Sequence, residues 1–376
     1  MTPVEQAEWR EKAAAFAARW IAPRAAELGE MPVVPDDIWQ ALADAGFFTV
    51  ALPASHGGAD GNFATLAAMA EAMVATGGNL GTVMSWMSHQ LSARLHIAGQ
   101  GSATQQARYL PELAAGRLTP CLAISEPGAG AHPKRLTASA VRDGDDIVLT
   151  GEKAFLTNGP IADLFIVLAI SGEADGRKQF TAYIVPKETP GLSLTEGINV
   201  DFLKPSPHCG LRLDGCRIPA GNQLGPAGRA FEVISLPMRR VEDALFSANV
   251  AGALRFEIDC LAAEAGDSLD DDGLAELGRL TAVPAGLSAL AHRAMALLDA
   301  SAPDAGAAIP ALSAAARDWA RLTQDRIEAL SAASGRDASP ERNLMVRDIR
   351  GMLSIARSAL DLQARKRGQS LLERGQ

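Results

Sequence analysis

The chain of 376 residues lacks most of the short signatures that announce a chemistry. No GxGxxG lies between a strand-like and a helix-like stretch, so a Rossmann dinucleotide site is not indicated. There is no GxxxxGKS/T, no HExxH and no GxSxG, which sets aside the Walker phosphate loop, the helical zinc-protease site and the serine-hydrolase elbow. The four cysteines, Cys121, Cys209, Cys216 and Cys260, form no CxxC pair. They read as buried or free thiols in a reducing compartment rather than disulfides or metal ligands. The six histidines, His56, His89, His96, His132, His208 and His292, are scattered and read as surface or satisfied core residues. An excess of basic residues is also missing. The net charge of −9 argues against nucleic acid or an anionic membrane as a general partner, and a polyanionic ligand would need a local basic site. No apolar run reaches 18 residues, and the opening "MTPVEQAEWREKAAAFAARW" interleaves acids at helical spacing, unlike a signal peptide. The expectation is a soluble cytoplasmic protein with no membrane span. No internal repeat or low-complexity segment is present.

What is there is ample apolar content, 48% of residues, in a chain long enough for two or three packed units. Its hydrophobic period changes twice. Up to about residue 117 the chain is rich in Ala, and apolar residues recur at three and four: Phe16, Trp20 and Ile21, then Ile38, Leu42, Ala45 and Phe47. From 118 to 229 short β-branched runs such as "DLFIVLAIS" and "KQFTAYIVPK" alternate with Gly, Asp and Pro. From 230 to 376 helical spacing returns, and "AFEVISLPMRRVEDALFSANVAGALRFEIDCLAAEA" fits one long helix or two. The expected architecture is α+β and multidomain. It has a helical domain (1–117), a middle β-barrel or sandwich domain (118–229) and a carboxyl-terminal four-helix bundle (230–376).

Two stretches at the front of the β-region stand out: "AISEPGAG" from Ala123 to Gly130 and "GEKAFLTNG" from Gly151 to Gly159. Alone, the first is ordinary turn chemistry and the second a partly buried edge strand. They occur together with "LPASHGGADG", "GSATQQARYLPELAAGRLTPCLAISEPGAGA" and "RIPAGNQLGPAGRAF", in a helical–β–helical chain that carries "VRD" near its end. In combination these strings resemble the acyl-CoA dehydrogenase family, and the likeness covers essentially the whole chain.

The resemblance implies an oxidoreductase acting on a CH–CH group, with FAD held between the β-domain and the carboxyl-terminal helices. It implies that Ile124 and Ser125, in the motif that ends at Gly130, bond the pyrimidine side of the flavin. Phe155 would stack over the ring and Thr157 would meet its polar edge. Fixed donors near a flavin's N1 and N5 tune its potential. Ala131 takes the position from which the family's serine reaches ligand. The implied reaction is α,β-dehydrogenation of a thioester, with a desolvated carboxylate taking the α-proton while the β-hydride goes to flavin N5. The implied partners are an acyl-CoA substrate, electron-transfer flavoprotein or a similar acceptor, and further subunits.

The chain departs from the family at several places. Near the carboxyl end, Arg347 and Asp348 are present, but the usual glutamate position falls on Ala356 or its neighbours Ile355 and Arg357. No carboxylate occurs between Asp348 and Asp361. The family's other base position, counted back from Gly252, falls on Glu242. On a helix Glu242 shares a face with Arg239, Phe246, Asn249 and Ala253. The alternative is a solvated glutamate in the "RRVED" cluster, and Asp243 stands where the family has Arg. The family also gives a neighbour's FAD pyrophosphate an arginine from a turn after this helix. Here Ser268 takes that position and Asp270, Asp271 and Asp272 follow. The second contribution in trans is reduced to Gly335. In the first motif, Gly130-Ala131-His132 replaces Gly-Ser-Asp, so Ala131 offers no hydroxyl.

Three readings follow. One is a homo-oligomeric FAD enzyme with Glu242 as base. Another is one subunit of a hetero-oligomer, in which a paralogous subunit supplies the missing contacts. The third is a flavin-poor family member that serves as a binding or structural partner. The acidic turn sets the further expectation that a homodimer holds FAD weakly or not at all; the alternative is a shortened or redirected turn, with Arg279 or Arg293 filling the gap.

Overall fold

A computed structural model describes residues 2–197, 200–355 and 357–374. Six helices come first: α1 (Pro3–Trp20), α2 (Ala25–Leu28), α3 (Asp36–Asp44), α4 (Phe63–Gly77), α5 (Leu80–Leu91) and α6 (Ala103–Ala114). Their starts are written into the sequence. Asn62 and Asn79 cap α4 and α5 by accepting from Thr65 N and Thr82 N, and Ser102 with Gln105 forms a capping box on α6. The α5 helix runs on into a π-helical turn, Ser92–Ala98.

Eight strands follow: β1 (Pro120–Ala123), β2 (Ser139–Asp143), β3 (Asp146–Thr157), β4 (Leu164–Ala174), β5 (Arg177–Pro186), β6 (Leu192–Thr195), β7 (His208–Pro219) and β8 (Gln223–Leu224). They form one sheet in the order β6-β7-β3-β2-β4-β5-β8, with β1 parallel to β4. The long β3–β7 and β4–β5 ladders are antiparallel, and the sheet's two halves meet where β2 touches β4. Leu149, Leu156, Phe165, Val167, Leu211 and Ile218 fill the space inside.

The carboxyl-terminal part consists of α7 (Leu236–Ala265), α8 (Asp271–Leu280), α9 (Ala282–Asp299), α10 (Ala305–Ser334), α11 (Pro340–Ser354) and α12 (Arg357–Arg374). The "RRVED" stretch lies in one uninterrupted helix, α7, of 30 residues. Pro237 does not break it because it sits in the first turn, where its missing N–H is not needed. Around α7 pack α4, α9, α10 and α11, and α4 also touches α9. A Cβ at Gly252 would lie 2.6 Å from Glu71 O, so only glycine lets α7 approach α4 this closely. The first and last helical regions therefore share one continuous core, with Trp86, Met69, Leu245, Leu254, Met295 and Ile327 in it.

Candidate functional site

The two motifs meet where β1 ends and β3 passes beside it. Ala154 N donates to Ser125 O at 2.8 Å. A buried ion pair reinforces this, with Lys153 Nζ 2.9 Å from Glu126 Oε1. Their residues are 2% and 3% exposed, so each charge depends on the other. Lys153 also donates to Ile124 O at 3.1 Å. Glu126 further accepts from Thr137 N, Thr137 Oγ1 and Ala138 N at 2.7, 2.8 and 2.9 Å. Burial alone would raise the Glu126 carboxyl, but Lys153 and these bonds outweigh it and hold it below the ordinary range. Burial lowers Lys153, and Glu126 opposes that. Neither residue was singled out from the sequence. The signal was there: period-2 counting from Ile147 and Leu149 through Gly151 puts Lys153 on the inward face, an unusual place for a lone lysine.

With Lys153 anchored, β3 bulges. Its register with β7 shifts between Lys153 and Leu156. Phe155, inside the shift, has φ of +59°. An aromatic residue in the left-handed region costs on the order of 1–3 kcal/mol and clusters at functional sites. The conformation turns Phe155 outward, leaving it 44% exposed between buried Ala154 and Leu156. Two residues on, Thr157 Oγ1 lies 3.1 Å from His208 Nε2 on β7. Asn158 ends the strand with φ of +64°, and its buried side chain exchanges bonds with Ser85 of α5 at 2.5 and 2.8 Å. The platform is thereby fixed to the first helical region.

Ser125 is half-buried, and no described residue bonds its hydroxyl. Ile124 is buried beside it. Gly130 closes the turn through paired backbone bonds with Glu126 at 3.0 Å. Ala131 and His132 follow on the exposed side of that turn. Ala131 thus brings only a methyl group to the surface. The structure brings Ile124, Ser125, Gly130, Phe155 and Thr157 to one junction. An exposed aromatic ring with hydroxyls beside it suits a flat heteroaromatic ligand with a polar edge.

Glu242 lies on α7. Its side chain is exposed to solvent, although protein atoms are dense around it. Its pKa is pushed up to about 7, by desolvation first, with Arg239 opposing and Asp243 adding to it. No described residue bonds its carboxylate. In the "RRVED" cluster the pair formed is Arg239 with Asp243, at 3.1 Å. One turn on, Arg317 of α10 lies 3.9 Å over the Phe246 ring. The open recesses of about 290 and 350 Å³ beside Arg94 and Arg108 include none of these residues.

The carboxyl-terminal motif serves the fold. Asp348 is buried, accepts from Leu203 N at 2.8 Å and is pushed up to about 6, chiefly by desolvation. Arg347 reaches Gly29 O and Glu30 in the first helical region. Ile355 is exposed, and Ala356 lies outside the described residues.

The acidic turn has its own structural explanation. Asp270 is the N-cap of α8, accepting from Gly273 N at 2.8 Å, and Asp271 and Asp272 occupy the first helical turn. Carboxylates there complement the helix dipole. Arg279 bonds Glu276 at 2.7 Å, and Glu276 is shared with Arg326 at 2.6 Å. Among the described residues no group of His, Cys, Asp and Glu could hold a metal ion, and no helix is long and apolar enough to cross a membrane.

Comparison with known proteins covers the chain unevenly. The family model for the acyl-CoA dehydrogenase N-terminal domain matches residues 3–117, and that for the middle domain matches 121–216, together more than half the chain. The chain is 33% identical over 216 residues to cyclohex-1-ene-1-carbonyl-CoA dehydrogenase of Geobacter metallireducens, covering 57% of this chain and 56% of that protein. It is 29% identical over 234 residues to mitochondrial isovaleryl-CoA dehydrogenase of Pongo abelii, covering 61% and 55%. The chain thus spans just over half the length of these relatives. The fold is shared more widely. Butyryl-CoA dehydrogenase from Megasphaera elsdenii superposes with a TM-score of 0.87 at 19% identity, covering 99% of each chain. PigA with FAD and proline does so with a TM-score of 0.86 at 21% identity, covering 100% of this chain and 99% of that one. On the two matched domains and the shared fold, the chain belongs to the acyl-CoA dehydrogenase family.

Proposed function

We propose that this chain is an oxidoreductase that removes one hydrogen from each of the α and β carbons of an acyl thioester, with FAD as electron acceptor. The observation that carries this reading is Glu242: an exposed carboxylate that no described residue bonds, raised to about 7 by desolvation, on the central helix of a family member. A base of that pKa is half deprotonated near neutral pH and strong enough to take an activated α-proton.

The residues present fit the flavin ring. Phe155 offers an exposed aromatic face, and Ser125 and Thr157 are half-buried hydroxyl residues at the same strand junction. The Lys153–Glu126 clamp keeps these groups in register. When bound, FAD would supply the acceptor for the two electrons that leave with the β-hydrogen. The chain's own part is to hold the ring on Phe155, position its edge at Thr157 and take the α-proton on Glu242. The substrate is a saturated acyl thioester, on CoA or on a carrier protein, and the product is the corresponding enoyl thioester. Electron-transfer flavoprotein or a similar acceptor would remove the electrons.

A second reading, that the chain is one subunit of a hetero-oligomer, is favoured by the carboxyl-terminal turn. Asp270 caps α8, Asp271 and Asp272 stand exposed in its first turn, and Arg279 is paired with Glu276, so that turn offers carboxylates rather than a free cation to a neighbour's pyrophosphate. A flavin-poor binding partner is the third. The units assigned to these roles are residues 1–117, 118–229 and 230–376.

Glu242→Gln tests the base. With FAD saturating, the expected result is a loss of about 10²–10⁴ in the rate of flavin reduction by acyl thioester, with flavin affinity unchanged. In the parent protein, kcat/KM should rise with pH to a plateau above about 7, because the base works deprotonated. Full activity in Glu242→Gln would contradict the assignment.

A further inference from the structure

We propose that His208 is a positioning residue that locks the Thr157 hydroxyl as a hydrogen-bond acceptor toward the flavin edge, biasing bound flavin toward its reduced form. The inference rests on the FAD reading of this site and concerns a histidine that the sequence motifs do not mark.

Thr157 and His208 are direct partners across the β3–β7 ladder. The ring makes two contacts: Nδ1 lies 3.0 Å from Ser206 O, and Nε2 lies 3.1 Å from Thr157 Oγ1. A carbonyl oxygen only accepts, so the Ser206 contact requires a proton on Nδ1. The half-buried ring is held below the ordinary histidine range by desolvation, with the Ser206 bond opposing, and so is neutral at neutral pH. A neutral imidazole carries one N–H. With that proton on Nδ1, Nε2 presents a lone pair, and the Thr157 hydroxyl must donate to it.

A free threonine hydroxyl rotates and serves either role. Here its single proton is committed to His208, leaving only lone pairs for a ligand. An oxidised flavin presents an acceptor at N5, which gains nothing from another acceptor. A reduced flavin presents N5–H, which does. Were N5 the edge atom held at Thr157, the bond would be available in one oxidation state only. Such a bond shifts the reduced-to-oxidised ratio by about three- to tenfold, and tenfold is about 30 mV for a two-electron couple. This differs from the expectation of a fixed donor at the edge: the partner across the strand reverses the sense of the contact.

Two measurements decide it. In the chain without flavin, long-range proton–nitrogen NMR of His208 should show the Nδ1–H tautomer; the Nε2–H tautomer would overturn the inference. In protein saturated with FAD, His208→Leu should lower the midpoint potential by up to about 30 mV. His208→Gln, which keeps an acceptor, should restore part of it. Thr157→Val should also lower it, and in that background His208→Leu should add nothing. An unchanged potential in His208→Leu, or an equal further drop without Thr157, overturns the inference while leaving the cofactor reading intact. Failure of FAD to bind at saturating concentration overturns both.

Discussion

The junction of β1 with β3 and the turn between α7 and α8 are both places where the family resemblance implies contact with flavin, and they differ in how their side chains are used. At the junction, the charges are consumed internally by Lys153 and Glu126, and this leaves Phe155, Ser125 and Thr157 facing outward. At the turn, Asp270 is used in starting a helix, Asp271 and Asp272 stay exposed, and Arg279 is paired with Glu276. A site depends on which polar groups the fold leaves free. The extent of the sequence match follows the same division: the family models end at residue 216, whereas the fold continues through 99% of the chain.

The largest expected effect lies in the junction. Lys153→Met strands a buried carboxylate and should destabilise the protein by about 3–5 kcal/mol. Adding Glu126→Gln should recover part of that loss, since both charges are then gone. Thermal unfolding measures both. If Lys153→Met unfolds like the parent protein, the clamp is not what holds the bulge at Phe155.

Next comes the bundle, where Glu257 is fully buried and pushed up to about 7, by desolvation first, with the Gln324 bond opposing. Its folded pKa exceeds the unfolded value of 4.5, so the native state binds the proton more tightly. Stability is complete below about 4.5 and falls as pH rises to about 7. Glu257→Gln should therefore gain about 2–3 kcal/mol at pH 8 and nothing at pH 4, as read by denaturant titration at both values. A gain that does not depend on pH would contradict this.

The smallest effect sharpens the contrast most. Asp270→Ala removes the α8 cap and should cost about 0.5–2 kcal/mol of stability. It should leave FAD affinity unchanged, because the turn is assigned to the helix and not to a pyrophosphate. Tighter FAD binding by this variant would show that the carboxylate does face the cofactor.

The three-part plan was legible because each part has its own hydrophobic period and its own caps. Asn62, Asn79 and Ser102 announce their helices directly. Ile124, Ser125, Phe155 and Thr157 were legible as a group through neighbouring strings, and the structure gathers them at one junction. The groups that hold them were not. Lys153 and Glu126 are distant in sequence, and only the β1–β3 crossing makes them partners. His208 meets Thr157 through a ladder register that no local pattern states. The α8 helix was obscured because its Asp-x-x-Gly cap falls where the family register expects a basic turn. Glu242 reads from the sequence as either base or solvated surface residue, since helical spacing gives its face but not its surroundings.

The central claim is that the chain keeps the flavin site it uses itself and lacks what it would lend a neighbour. FAD titration of the purified chain, alone and with a co-expressed paralogous subunit, tests this most directly. The missing guanidinium is worth roughly 1.5–3 kcal/mol, so the chain alone should bind about ten- to a hundredfold more weakly than with the partner. That weak binding should disappear in Phe155→Ala with Thr157→Ala. Tight, stoichiometric FAD in the homo-oligomer would contradict the account.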